Sequence, residues 1–442
     1  MRRSWVSMVR STLACCLVAT LGAAAHAQPA VDLFDEAVYF LSLQYCGFSE
    51  VPPQVLAPAI REDLVQRCDE HAACPETVGV EAIERLIARL DDPHTAYLPP
   101  EAFVRVGRLM GEGARDGAGI GLQVASLEAR PGLVVLRALA GGPGASGGLR
   151  RGDVIVALDG DPLPLGPPAA ARLRRAGADG GTLRLTVERA LDRRFTVELV
   201  PSPHPVRPSF TMLGGGIGLI DVPSFFASKR IGPAVHELVR DAQEAGAQAL
   251  VIDLRSNPGG LLPESLVAEG AFASEPARRV RSRRNVTDWV FRDGTLYVET
   301  SQGQSFAQYD VPDPARFDGR VAVLVDADTA SAAEFLAAGL QDVGALVVGE
   351  PTFGGADTGT GFIGLSNGGG LQITTGRIER RDGRPYPPRV EPDVHVEQDL
   401  EALARGEDAA RDEAVARLEA LGASTRGGPS GNAHAASSRT RR

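Results

Sequence analysis

The sequence predicts a multidomain protein of mixed α+β and α/β class. It has a helical N-terminal region, a small β-rich domain and an α/β core built on a mainly parallel sheet. Three observations predict this. Apolar residues recur at helical spacing through the first hundred positions. Short apolar runs broken by Gly and Asp follow. From Ile217 onward, buried-type apolar runs alternate with amphipathic segments, the pattern of strands joined by helices. A length of 442 residues accommodates two or three domains.

At the N-terminus, Arg2, Arg3 and Arg10 give a positive region around the apolar stretch that runs from Leu13 to Ala25, and Ala25-His26-Ala27 has the small-x-small form of a cleavage site. Residues 1–27 therefore read as a signal peptide cleaved after Ala27, which places the mature chain in the periplasm or outside the cell. The apolar stretch is shorter than the roughly 20 residues of a comfortable span. No later stretch is apolar enough, so no transmembrane span is expected after cleavage. Cys46, Cys68 and Cys74 remain. An oxidising compartment allows one disulfide, with three pairings open. Three cysteines without paired histidines do not form a zinc signature, and no metal or other cofactor is expected.

Residues 28–103 form the helical region, in which Ile83, Leu86 and Leu90 share one face until Asp91-Asp92-Pro93 stops the helix. Residues 104–202 form the β-rich domain. Its short strands include Leu133-Val134-Val135-Leu136 and Val154-Ile155-Val156-Ala157-Leu158, with Gly- and Asp-rich turns between them. Residues 203–397 form the core, entered through a Pro- and Gly-rich connector over 201–215. Residues 398–422 read as one acidic, Ala-rich helix. The Gly, Ser, Ala and Arg tail over 423–442 has no core-forming content and is expected to be disordered.

Acidic residues outnumber basic ones, 56 to 46, for a formal charge of −10. This excludes a phosphate-tracking nucleic-acid binder, which needs basic patches. Of the basic residues only Lys229 is lysine.

Three segments carry chemistry. An apolar strand runs into Asp326-Ala327-Asp328-Thr329-Ala330-Ser331-Ala332-Ala333-Glu334 and then a helix. Backbone N–H groups at such a helix start can stabilise an oxyanion, although Ser and Thr there also serve as plain N-caps. Asp253-Leu254-Arg255-Ser256-Asn257-Pro258-Gly259-Gly260 follows a buried strand with a tight turn that exposes backbone amides. Gly119-Ile120-Gly121-Leu122, with Gly148-Leu149-Arg150-Arg151-Gly152-Asp153 downstream, resembles the carboxylate-binding loop and following turn of a PDZ domain, a reader of peptide C-termini.

Together with Asp92-Pro93-His94-Thr95 and Val390-Glu391-Pro392-Asp393-Val394, these motifs resemble, in order and over about residues 31–420, the C-terminal processing peptidases, or tail-specific proteases. The resemblance implies a ClpP/crotonase-like core and a serine endopeptidase that captures apolar C-terminal tails of proteins through its PDZ domain. It implies Ser331 as nucleophile. The oxyanion hole would come from the Ala332 amide and a glycine amide, Gly259 or Gly260. Asp342 is implied as a supporting acid, and Gly119, Ile120, Gly121 and Leu122 as peptide-binding. The family's general base is a lysine in Phe-Gly-Lys-Gly, and here the text is Phe353-Gly354-Gly355-Ala356. Glycine cannot take a proton. A related tricorn-like branch uses histidine from an Asp-x-His-Thr motif, which makes His94 a candidate base, while lysine-type members carry a histidine without a catalytic role in the same segment, which leaves a structural His94 as the alternative. The rival reading is a catalytically impaired pseudo-peptidase that binds peptides or proteins. A third, that the core holds an apolar small molecule, is opposed by the peptide-reading domain. The oligomeric state is not legible.

Overall fold

The computed structural model describes residues 28–47, 49–69, 74–112 and 119–426. The reading of residues 1–27 as a signal peptide falls outside them, as does the tail expected over 423–442 from residue 427 on, whereas residues 423–426 end a helix. Among the described residues no helix is long and apolar enough to cross a membrane.

Helices Pro29–Gln44, Pro53–Asp69 and Glu76–Leu90 bury Phe34, Leu41, Leu64, Ile83 and Leu86 against one another. Cys68 and Cys74 form a disulfide and Cys46 stays unbridged. Asp91 ends the third helix in the left-handed conformation. The chain then enters the short strand Ala96–Leu98 and the helix Pro100–Glu112, which crosses the boundary expected at 103/104.

The β-rich domain is a five-strand path of antiparallel pairings that begins with Leu122–Ser126. That strand is an edge of the sheet and packs beside the helix Pro167–Asp179.

Two sheets make the core, which corrects the expectation of a single, mainly parallel one. The first has six strands. Strands Ile217–Asp221, Ala249–Asp253, Arg320–Val325, Leu346–Gly349 and Val394–His395 pair in parallel. Strand Ser209–Gly214, inside the expected connector, pairs antiparallel at the edge. Helices Ile231–Glu244, Leu262–Glu269 and Ala332–Asp342 cover one face, and Ala414 and Leu418 of the C-terminal helix cover the other. The second sheet has seven strands, all antiparallel. It runs over residues 277–310 and 358–380 and takes in Ala96–Leu98. Its strands carry Arg and Thr among buried and partly buried positions, so they lack the apolar runs that betray buried parallel strands.

The expected single helix over 398–422 is two, Leu400–Ala404 and Ala409–Arg426, broken where Gly406 takes φ +94°. The break lets the segment staple the two domains. Leu403 and Ala404 pack on Leu127, Val134 and Val154 of the β-rich domain, and the second helix packs on the core. Between them Asp408 accepts from Arg151 of the β-rich domain at 2.9 Å and from Arg255 of the core at 2.6 Å. Arg255 also pairs with Asp253, and Arg137 donates to Asp221. Burial works against ionisation at Asp253 and Asp408, but the Arg255 guanidinium outweighs it and holds both carboxyls below the ordinary range. The unfolded chain then binds more protons than the folded one at low pH. Stability contributed at neutral pH is lost as pH falls below about 4, through the depressed folded values. Urea unfolding followed against pH should show this loss, and Asp408→Asn should reduce its slope.

Candidate active site

Parallel pairing fixes the site. Strands Ala249–Asp253, Arg320–Val325 and Leu346–Gly349 are neighbours running the same way, so the loops leaving them emerge at one edge of the sheet. These loops are Arg255–Gly260, Asp326–Ser331 and Glu350–Asp357. Hydrogen bonds lace them together. Ala330 N donates to Asn257 O, and Phe353 N donates to Thr329 O. Asp326 accepts from Ser256 N and Oγ, and from Thr329 Oγ1.

Ser331 is the N-cap residue of the helix Ala332–Asp342 and holds φ +51°, ψ −118°. A non-glycine residue at positive φ costs of order 1–3 kcal/mol and persists only where its surroundings enforce it. Thr329, by contrast, is fully buried and hydrogen-bonded to Leu254 O and Asp326, a structural residue.

What enforces the Ser331 turn is Glu334, one helical turn on. Its buried carboxylate accepts from Ser331 N at 2.7 Å, Gly355 N at 2.8 Å, Gly354 N at 2.9 Å and Thr352 Oγ1 at 2.6 Å. Burial pushes this carboxyl up from its ordinary range, against four donors that favour the charge. The sequence analysis missed Glu334, yet the Ser331-x-x-Glu334 spacing is a capping-box signature that could have flagged it.

The glycine turn approaches from the neighbouring strand. A Cβ on Gly259 would lie 2.8 Å from both Ala332 N and Ser331 Cβ, so only glycine fits. Of the two glycines proposed as amide donors, Gly259 is corrected. Its N–H is already committed to Asn257 Oδ1 at 2.9 Å. The N–H groups of Gly260 and Ala332 have no acceptor among the described residues.

His94 reaches the same place from the N-terminal region. Its backbone N donates to Asp92 Oδ1 at 2.9 Å, its carbonyl accepts from Gln372 at 3.0 Å, and the strand that follows pairs with Gly370–Arg380. A Cβ on Gly355 would lie 3.5 Å from His94 Cε1, 3.2 Å from Glu334 Oε2 and 3.7 Å from Ser331 N. The ring and the Ser331 turn therefore both lie within 4 Å of the spot where any side chain at 355 would begin. Ser331, His94, Gly260 and Gly355 line one cavity of about 390 Å³, walled by apolar side chains and rimmed by the exposed Phe353.

Two expected residues lie elsewhere. Asp342 sits at the far end of the Ser331 helix, roughly 16 Å of helix away, in a bidentate pair with Arg380. This corrects its assignment to the site. Lys229 Nζ reaches toward Gln308 O and lies over the Tyr309 ring, away from the cavity lining.

In the β-rich domain, Gly119 to Leu122 form the loop entering the edge strand. Gly121 has φ +70°, and its carbonyl accepts from Leu139 N. That strand pairs on one side only and lies beside the helix Pro167–Asp179.

The profile of peptidase family S41 matches residues 216–396 and that of the PDZ domain residues 134–189. The chain is 33% identical over 307 residues to a carboxyl-terminal-processing protease of Picosynechococcus sp., covering 68% of each protein. It is 33% identical over 311 residues to the chloroplastic carboxyl-terminal-processing peptidase 2 of Arabidopsis thaliana, covering 67% of this chain and 56% of that one. The chain thus spans just over half the length of the plant relative. A solved structure from Bacteroides fragilis assigned to the S41 proteases shares the fold, with TM-score 0.53 at 15% identity, covering 77% of this chain and 90% of that one. The chain belongs to the carboxyl-terminal-processing proteases of peptidase family S41, serine peptidases that carry a PDZ domain.

Proposed function

We propose that this chain is an active serine endopeptidase working with a Ser–His pair. The carrying observation is the glycine at 355. A side chain there would begin within 4 Å of both the His94 ring and the Ser331 backbone, and glycine leaves that space open between the loop and the two groups. In this reading Ser331 Oγ attacks the peptide carbonyl and His94 takes its proton. The N–H groups of Gly260 and Ala332 stabilise the oxyanion, and His94 then protonates the departing amine. Water repeats the cycle to release the acyl group. Glu334 and Asn257 position the groups without touching substrate.

The PDZ domain captures unstructured C-terminal tails along the edge strand Leu122–Ser126, with the Gly119–Leu122 loop on the terminal carboxylate. Apolar tails suit the apolar walls of the cavity. The Cys68–Cys74 disulfide supports an oxidising location, periplasmic or extracellular. The rival reading, a peptide-binding pseudo-peptidase, draws on the absent lysine. Cleavage of a folded reporter carrying an apolar, unstructured tail separates the two. Turnover is expected from the native chain and none from Ser331→Ala. Equal behaviour of the two proteins contradicts the proposal.

A further inference from the structure

The cavity beside Ser331 has a floor without side chains. On the antiparallel sheet Gly359 and Gly376 stand opposite one another in register, next to a bulge that begins at Thr360. Both line the cavity. A Cβ on Gly359 would point at Ile378 Cδ1, 3.3 Å away. One on Gly376 would meet Val280 Cγ1 at 3.4 Å and Arg281 O at 3.3 Å. Val280 and Ile378 are themselves cavity walls, so both missing side chains would project into the cavity. Neither glycine has φ in the left-handed region. Backbone conformation therefore does not require glycine at either position; the close approach of Ile378, Val280 and Arg281 leaves little room for a side chain there unless it extends into the cavity.

The walls around this floor are Val280, Trp289, Phe335 and Ile378. Among the described residues His94 is the one ionisable side chain that lines the cavity. A charged substrate group would lose its hydration there without a partner. The volume, about 390 Å³, exceeds the roughly 150 Å³ in which an apolar cavity holds a benzene ring.

We propose that the Gly359–Gly376 pair sets specificity for a bulky apolar or aromatic side chain on the residue whose carbonyl Ser331 attacks. This rests on the peptidase reading above. Filling the floor selects for small residues, and widening it favours the largest. One methylene in an apolar pocket is worth about 10–200-fold in discrimination.

The test compares two tailed peptides that differ only at the residue before the cleavage site, Phe or Ala. The native chain is expected to favour Phe in kcat/KM. Gly359→Val and Gly376→Val, on opposite strands so that a folding defect in one does not decide the matter, should each lower the Phe-to-Ala ratio at least about tenfold. Ile378→Ala should raise the corresponding Trp-to-Ala ratio. A native preference for Ala, or valine variants that slow both peptides equally, overturns the proposal. If no peptide is cleaved, the peptidase reading fails instead. The pocket is then judged by fluorescence anisotropy of the same peptides on Ser331→Ala, where an unchanged Phe-to-Ala ratio of Kd in the valine variants overturns it.

Discussion

Replacing His94 by alanine is expected to lower kcat by roughly 10⁴-fold or more while the protein stays folded, because in the Ser–His reading the serine nucleophile loses its general base. His94 is half-buried, and its backbone bonds to Asp92 and Gln372 are kept when the side chain is cut to alanine. The variant should therefore keep its melting temperature within a few degrees. A purely structural His94 gives the opposite pattern, a falling melting temperature with kcat largely kept. Gly355→Ala probes the same pair without removing a reacting group. The new methyl would sit 3.5 Å from His94 Cε1 and 3.2 Å from Glu334 Oε2. Misplacement by about 1 Å in such a site costs of order 10²-fold, so kcat should drop by roughly ten- to a hundredfold with little change in KM. The two substitutions differ in chemistry but act on the same geometry.

Glu334→Ala is expected to destabilise the fold by about 3–5 kcal/mol, the scale for removing one partner of a buried charged cluster. Four donors converge on this carboxylate, three backbone N–H groups and the Thr352 hydroxyl. Alanine leaves all four without this acceptor, Thr352 Oγ1 and Gly355 N in buried positions. Glu334→Gln keeps the shape but turns an NH₂ toward N–H groups, and should fall between the native protein and alanine. Denaturant titration checks this as a shift in midpoint at unchanged slope. The chemistry should suffer alongside, because Ser331 holds its positive φ through the bond to Glu334. A Glu334→Ala protein of native stability would remove the account of why the turn exists.

How legible this was depends on the range of the interactions. Strands at Ala249–Asp253 and Arg320–Val325 are apolar on both faces and bounded by turn residues, so the parallel sheet and the loops at its edge were readable. The Ser331 turn and the glycine loop followed from those. The antiparallel sheet was not readable, because its strand over 277–282 carries Arg278, Arg279 and Arg281, which find carboxylates on the helix Leu262–Glu269 and on neighbouring strands. Asp342 failed because motif order says nothing of direction along a helix, and the residue points to Arg380. The choice between Gly259 and Gly260 needed the Asn257 side chain, a local contact but one with no sequence signature. His94 and Gly355 lie far apart in the chain, and only the pairing of Ala96–Leu98 with Gly370–Arg380 brings them together.

The most direct test of a Ser–His site is covalent labelling with a fluorophosphonate probe, followed by mass mapping of the modified peptide. The account predicts labelling of the native protein at Ser331, no labelling of Ser331→Ala, and a rate lowered by orders of magnitude in His94→Ala. A native protein that stays unlabelled, or a His94→Ala protein that labels at the native rate, would contradict it.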